Sequence, residues 1–206
     1  MRRLILLRHG ESAANRQDFF GGWLDIELTD AGAAQAHQAS QALAEEGIQP
    51  GSAFASSLAR ARHTAEIVLS DLDRAIPVTA SAALNERNYG DLTGLDKDQA
   101  RKRWGLQQVE TWRRSYDVGP PNGESLRDTS ARVLPFYIHV ILPALMRVGP
   151  TLVVAHGNSL RTLIMALDGL SPDRIGAVEI ATGEMIIYDL APDTSVQSKR
   201  RVSTGN

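Results

Sequence analysis

Two apolar runs stand out from the polar–apolar patterning of the chain, Leu4-Ile5-Leu6-Leu7 and Leu152-Val153-Val154-Ala155. Neither alternates, so each fits a strand buried on both faces, as in the interior of a parallel sheet. Ala53-Phe54-Ala55, Ile76-Pro77-Val78 and the stretch Gly183 to Leu190 read as three further strands. Between them lie segments of helical spacing. Thr29 or Asp30 caps an Ala-rich helix that runs to Glu46 and stops at Gly47, and Ser56-Ser57 cap a helix whose apolar stripe is Leu58, Ala61, Ala65, Val68 and Leu69. Residues 96–116 are polar and partly helical, and 125–147 are helical in pattern, with Pro135 and Pro143 expected to kink or split the helix. A last helix covers Leu160 to Leu167, with Asn158 or Ser159 as its cap. Strands alternating with helices predict an α/β fold, a mostly parallel central sheet with helices on both faces. No repeat or linker divides the chain, so 1–206 is expected to be one domain. The polar tail 191–206 reads by composition as disordered.

Composition narrows the partners rather than the chemistry. A formal charge of −2 over 206 residues gives no global pull toward nucleic acid or an anionic membrane. No cysteine is present, which agrees with a reducing cytoplasm and leaves no thiolate metal site. The apolar run after Met1-Arg2-Arg3 is too short for a signal-peptide core. No stretch of sequence approaches the roughly 18 apolar residues of a membrane span. The expectation is a cytoplasmic protein acting on small molecules.

Both long strands end in His-Gly: Arg8-His9-Gly10-Glu11-Ser12 and His156-Gly157-Asn158-Ser159. Strand ends of this kind lie at the carboxyl edge of a sheet, where α/β folds place ligands, and free N–H groups at a helix start suit an anion. Gly10 lets the chain leave the strand without a Cβ penalty. If His9 attacks phosphorus, its nitrogen must be unprotonated. Arg8 and Arg60 disfavour a further positive charge and neutralise the transferring phosphoryl group. His156, if protonated beside a bound phosphate, adds another donor. Glu86 is the candidate proton donor and acceptor, a carboxylic acid favoured in its neutral form beside a dianionic phosphate. A metal-dependent transferase would call for clustered carboxylates or a GxxxxGK[ST] loop, and the sequence has neither. Gly21-Gly22-Trp23 is a turn that brings backbone N–H groups close to a ligand. The basic concentration Lys97, Arg101, Lys102, Arg103, Arg113 and Arg114 is either a solvated helical face or a trap for a second anionic group on the substrate.

The stretches LRHGES..N (Leu7 to Asn15), GW.D..L (Gly22 to Leu28), LNER.YG.L.GL (Leu84 to Leu95), WRR (Trp112 to Arg114) and AHGNSLR (Ala155 to Arg161) resemble the cofactor-dependent phosphoglycerate mutases of the histidine phosphatase superfamily. The resemblance implies a three-layer α/β sandwich. It makes His9 the residue that becomes phosphorylated and Glu86 the proton shuttle, with Arg8, Arg60 and His156 on the transferring phosphoryl group. Asn15 and the Gly157-Asn158 backbone would stand beside that group, Tyr89, Lys97, Arg113 and Arg114 would hold the rest of the phosphoglycerate, and Gly21, Gly22 and Arg87 would also bind substrate. It further implies interconversion of 3-phosphoglycerate and 2-phosphoglycerate, 2,3-bisphosphoglycerate as the primer, no metal, and a tail that closes over the site. It admits a homo-oligomer, dimeric or tetrameric. Two departures bear on the site: Gly21 replaces a hydroxyl-bearing residue, and the connection 116–124 is short. The competing readings are a phosphatase of the same superfamily acting on a small phosphorylated metabolite, and a binding protein that has lost catalysis.

Overall fold

The structure, a computed structural model, describes residues 2–202. A six-stranded sheet has the order β3-β2-β4-β1-β5-β6. Strands β1 (Arg2–Arg8), β2 (Ser52–Ser56), β3 (Val78–Ser81) and β4 (Thr151–Ala155) are parallel, whereas β5 (Met185–Leu190) and β6 (Val196–Val202) run antiparallel to their neighbours. The non-alternating runs are explained by burial on both faces. Leu4 and Leu6 of β1 enter a core under helices α6 (Leu126–Phe136), α7 (Leu142–Val148) and α8 (Gly157–Asp168). Ile5 and Leu7 enter a second core under α2 (Asp30–Glu45) and α3 (Ala59–Asp71). The expected three layers are present.

Several local expectations change. Thr29 caps α2, its side chain accepting from Gly32 N–H, as read from the sequence. The cap of α3 is not Ser56 or Ser57: Leu58 holds the N-cap position, and Asp25, from a distant loop, accepts from Ala59 N–H at 2.6 Å. Likewise His156, not Asn158 or Ser159, is the N-cap of α8. The stretch 126–148 is not split at its prolines. Both lack an amide hydrogen, and the π-turn Tyr137–Ile141 between them shifts the hydrogen-bond register without breaking the rod. The resulting 23-residue helix is long and apolar enough by composition to cross a bilayer, contrary to the sequence expectation. Here Val133, Tyr137, Ile141 and Leu145 bury one face of it against the sheet.

The tail is also corrected. Val196–Val202 pairs along β5, with Arg200 on Glu46 and Arg201 on Glu184. Such a strand, VQSKRRV, reads as disorder because edge strands carry charge outward. Residues 203–206, expected with the rest of the tail to close over the site, lie outside the described residues.

Gly10 is required for a different reason from the one its sequence suggests. Its backbone is not left-handed, but a β-carbon there would stand 2.1 Å from the carbonyl oxygen of Gly32, and one on Gly32 would stand 2.0 Å from that of Glu11. The loop after β1 thus lies directly on the first turn of α2. Gly10→Ala is expected to cost about 1–3 kcal/mol of stability by overpacking, read as a lower denaturation midpoint.

Candidate active site

The two His-Gly strand ends meet. His9 N–H donates to Ala155 O at 3.0 Å, joining the ends of β1 and β4, and the rings of His9 and His156 lie 4.8 Å apart, edge to face. His9 Nδ1 is 2.6 Å from Gly10 O. A carbonyl only accepts, so Nδ1 carries the hydrogen and Nε2 holds the lone pair. Burial, then Arg60 and Arg8, push the His9 pKa well down, while the Gly10 contact works the other way. His9 is therefore an unprotonated imidazole with one committed and one available nitrogen.

His156 is fully buried, and neither ring nitrogen has a hydrogen-bond partner. Burial, Arg60, His9 and Arg8 push its pKa well down also, which favours the neutral ring. A neutral ring still offers one N–H. The unfolded chain protonates both rings near 6.5, so it binds more protons than the folded chain as the solution turns acid. Stability is accordingly expected to fall as pH drops through about 6.5. Denaturation midpoints between about pH 8 and pH 5 should show this, with a shallower slope for His156→Gln. An unchanged slope in that variant would contradict the assignment.

Glu86 lies in the loop before the short turn Gly90–Leu92. Its Oε1 accepts from Arg87 N–H (2.7 Å) and Asn158 N–H (3.2 Å). A β-carbon on Gly157 would stand 3.9 Å from both Glu86 Oε2 and the Arg8 guanidinium carbon. The free carboxylate oxygen and Arg8 thus border the same small space, which a side chain at 157 would fill.

A cavity of about 280 Å³ opens over these groups. Among the described residues, Arg8, Arg60, Arg87, Lys97, Arg113, Arg114 and Arg161 line it, against Glu86 and Glu179 as the only carboxylates. Seven cations to two acids fit a multiply anionic ligand. Every expected site residue lines this cavity except His156, which stands behind His9.

The cations are held in different ways. Arg60 is buried and donates to Leu24 O (2.8 Å) and Gly22 O (2.9 Å), fixing the Gly-Gly turn. Arg8 donates to Ile180 O at 2.6 Å. Arg87 is nearly completely buried and donates to Trp112 O (2.8 Å) and Arg113 O (3.3 Å), so it ties the end of α5 (Leu106–Arg114) to the Glu86 loop. The buried Nε atoms of Arg8 and Arg87 have no partner. Phe20, Leu92, Ala100, Val109 and Trp112 form a small roof core that joins α4 (Lys97–Trp104) and α5 to the loop carrying Tyr89. Lys97 pairs with Asp18, Arg113 with Glu110 and Arg114 with Glu179. Tyr89 OH accepts from Asn158 Nδ2 (3.0 Å), and Asn15 Oδ1 accepts from Ser12 N–H (3.0 Å). A β-carbon at Gly21 would come within 3.0 Å of the Ala14 β-carbon, so the missing hydroxyl accompanies close packing on α1 (Ala13–Arg16). The short connection 116–124 is bound to the Tyr89 loop through Glu124 N–H to Asn88 O (2.8 Å) and Asp91 N–H to Pro121 O (3.0 Å).

Sequence reasoning missed Arg161, Glu179 and Arg132. Arg161 could have been found, since it stands three residues after Asn158 on one helix face and donates to its Oδ1 at 3.1 Å. No sequence signal marks Arg132. Its guanidinium donates to the carbonyls of Ala83, Asn85 and Glu86, each at 2.9 Å, and pairs with Glu124. Trp23 Nε1 donates to the same Glu86 carbonyl. Arg132 is a positioning residue for Glu86. Arg132→Lys keeps the charge beside Glu124 but loses the fork. The expected result is a fall in kcat of about tenfold to a hundredfold with KM little changed; equal losses in both would mark a merely structural role.

The profile of the histidine phosphatase superfamily (branch 1) matches residues 4–201. The chain belongs to the histidine phosphatase superfamily. Within that superfamily it is 54% identical, over 96% of each chain, to a protein of Nitrobacter winogradskyi named 2,3-bisphosphoglycerate-dependent phosphoglycerate mutase. It is 49% identical, over 99% of each, to one of the same name from Beijerinckia indica. Among solved structures, the mycobacterial glucosyl-3-phosphoglycerate phosphatase with VO3 superposes with a TM-score of 0.81 at 29% identity, covering 92% of this chain and 93% of that one. The alpha-ribazole phosphatase from Shigella flexneri superposes at 0.80 and 28%, covering 94% and 93%.

Proposed function

We propose that this chain interconverts 3-phosphoglycerate and 2-phosphoglycerate through a phosphohistidine at His9. The observation that carries the reading is the pairing, in one cavity, of a neutral His9 whose Nε2 is uncommitted with a second set of cations, Lys97, Arg113, Arg114 and Arg161. Phosphoryl transfer to His9 needs only the first; a mutase must also hold its substrate's other anionic groups. The relatives of about half identity, named as mutases, support the same choice over the phosphatase names found at 26–29%.

The residues fit 2,3-bisphosphoglycerate. His156, Arg8 and Arg87 carry buried nitrogens without partners, and the cation excess matches a ligand with two phosphates and a carboxylate. When bound, it supplies the phosphoryl group that primes His9. Arg8, Arg60 and the His156 N–H would then hold the three non-bridging oxygens as charge spreads over them. His9 gives its phosphoryl group to the free hydroxyl of a monophosphoglycerate while Glu86 takes that hydroxyl's proton. His9 then accepts the other phosphoryl group, and Glu86 returns the proton to the departing oxygen. Nδ1, bonded to Gly10 O, keeps the ring oriented in both directions. Phe19 and Phe20, which line the cavity, limit the water that would otherwise hydrolyse phospho-His9.

The test mixes the protein with 3-phosphoglycerate and a trace of 2,3-bisphosphoglycerate in the presence of a chelator. Bisphosphate-stimulated formation of 2-phosphoglycerate supports the reading. Net phosphate release without isomer would favour the phosphatase.

A further inference from the structure

The cations at the far side of the cavity do not stand open. Arg114, at the end of α5, donates to Glu179 Oε1, and Arg161, on α8, to Glu179 Oε2 at 3.2 Å. Glu86, the other carboxylate of the cavity, is held by two peptide N–H groups; Glu179 instead bridges two guanidinium groups from separate helices. Its side chain is 65% exposed, so ion pairing rather than packing keeps it there.

The segment that presents Glu179 is fastened by four arginines. Arg114 donates to Gly176 O (3.1 Å), Arg161 to Val178 O (2.6 Å), Arg201 to Glu179 O (2.9 Å) and Arg8 to Ile180 O (2.6 Å). Glu184 Oε2 accepts from Ala181 N–H at 2.6 Å. The backbone is therefore fixed, while the exposed carboxylate at its tip is held by its two ion pairs. Burial works against the charge of Glu179, but the Arg114 hydrogen bond and the charges of Arg161, Arg114 and Arg113 outweigh it and hold the carboxyl below its usual range. It is an anion in a site built for anions.

We propose that Glu179 is a specificity-determining residue, an internal counter-anion that occupies the distal anion subsite between Arg114 and Arg161. A ligand with a single phosphate leaves Glu179 in place and gains nothing from those two arginines. A ligand whose second anionic group reaches them displaces the carboxylate, which swings into solvent with its backbone unmoved. The subsite thus admits only molecules whose second anion outcompetes a carboxylate already seated there. The identity of the ligand, a phosphoglycerate, rests on the function proposed above.

The experiment compares equilibrium binding of two probes to the unprimed wild type and to Glu179→Gln, which keeps shape and removes charge. 3-Phosphoglycerate has a phosphate and a carboxylate; glycerol 3-phosphate lacks the carboxylate. Neither turns over on unprimed enzyme, so calorimetry reads binding alone. For the variant, the Kd of 3-phosphoglycerate is expected to fall about threefold to fivefold, as for loss of one partly exposed competing ion pair. The Kd of glycerol 3-phosphate should change by less than about twofold. An equal gain for both probes would reveal a general field effect, and no change or weaker binding would reveal a structural ion pair; either overturns the proposal. So would an absence of 3-phosphoglycerate binding to both proteins. Failure of the mutase reading would appear separately, as a primed wild type that binds 3-phosphoglycerate without isomerising it.

Discussion

His9→Ala is expected to lower isomerisation by about 10⁴-fold or more, as losses of a covalent nucleophile do, with the fold retained. The size of the effect follows from the geometry of the ring. His9 is buried at the end of β1, its Nδ1 hydrogen committed to Gly10 O at 2.6 Å and its Nε2 lone pair uncommitted. Burial, Arg60 and Arg8 keep that lone pair unprotonated. His156 cannot substitute: its ring is buried with its centroid 4.8 Å from that of His9, so it can offer an N–H to an oxygen of a phosphoryl group seated at His9 but is not itself placed to take the phosphorus. Thermal denaturation separates this from collapse of the site, because His9→Ala removes a group outside the two sheet cores. Turnover within tenfold of wild type, with the fold intact, would contradict the account.

Glu86→Gln should cost about 10²–10⁴ in turnover, the usual range for a general acid–base. Glutamine keeps the Oε1 acceptor that Arg87 and Asn158 N–H groups require but cannot carry a proton from one oxygen to another. The deficit should therefore depend on the leaving group. Transfer to His9 from p-nitrophenyl phosphate, whose departing oxygen needs no proton, should suffer far less than transfer from a phosphoglycerate. Equal losses with both donors would show that Glu86 serves binding or orientation instead.

How much of this was legible varied with the kind of information involved. The strand-end motifs could be read because Leu4 to Leu7 and Leu152 to Ala155 sit between two cores, so apolarity on both faces and a polar His-Gly exit coincide in the sequence. Strand direction could not. Met185 to Tyr188 is as apolar as a parallel interior strand, yet it runs antiparallel, and local hydrophobicity carries no record of the sense of a connection. Val196 to Val202 hid behind its charges, which an edge strand needs. At the site, residues delivered by motif loops were visible, whereas Arg132 acts from mid-helix on carbonyls of a loop about fifty residues earlier in the chain. Glu179 was invisible for the same reason: its meaning comes from Arg114 and Arg161, which only the fold brings to it. The necessity of Gly10 was legible, but its cause, contact with Gly32, was not.

The most direct measurement is the site and chemical form of the phosphoryl group on enzyme primed with 2,3-bisphosphoglycerate, read by phosphorus NMR and by peptide mapping under alkaline conditions. The account predicts acid-labile phosphate on His9 alone, attached at Nε2, because Nδ1 is bonded to Gly10 O. Phosphate at Nδ1, on His156 or on a hydroxyl would contradict it.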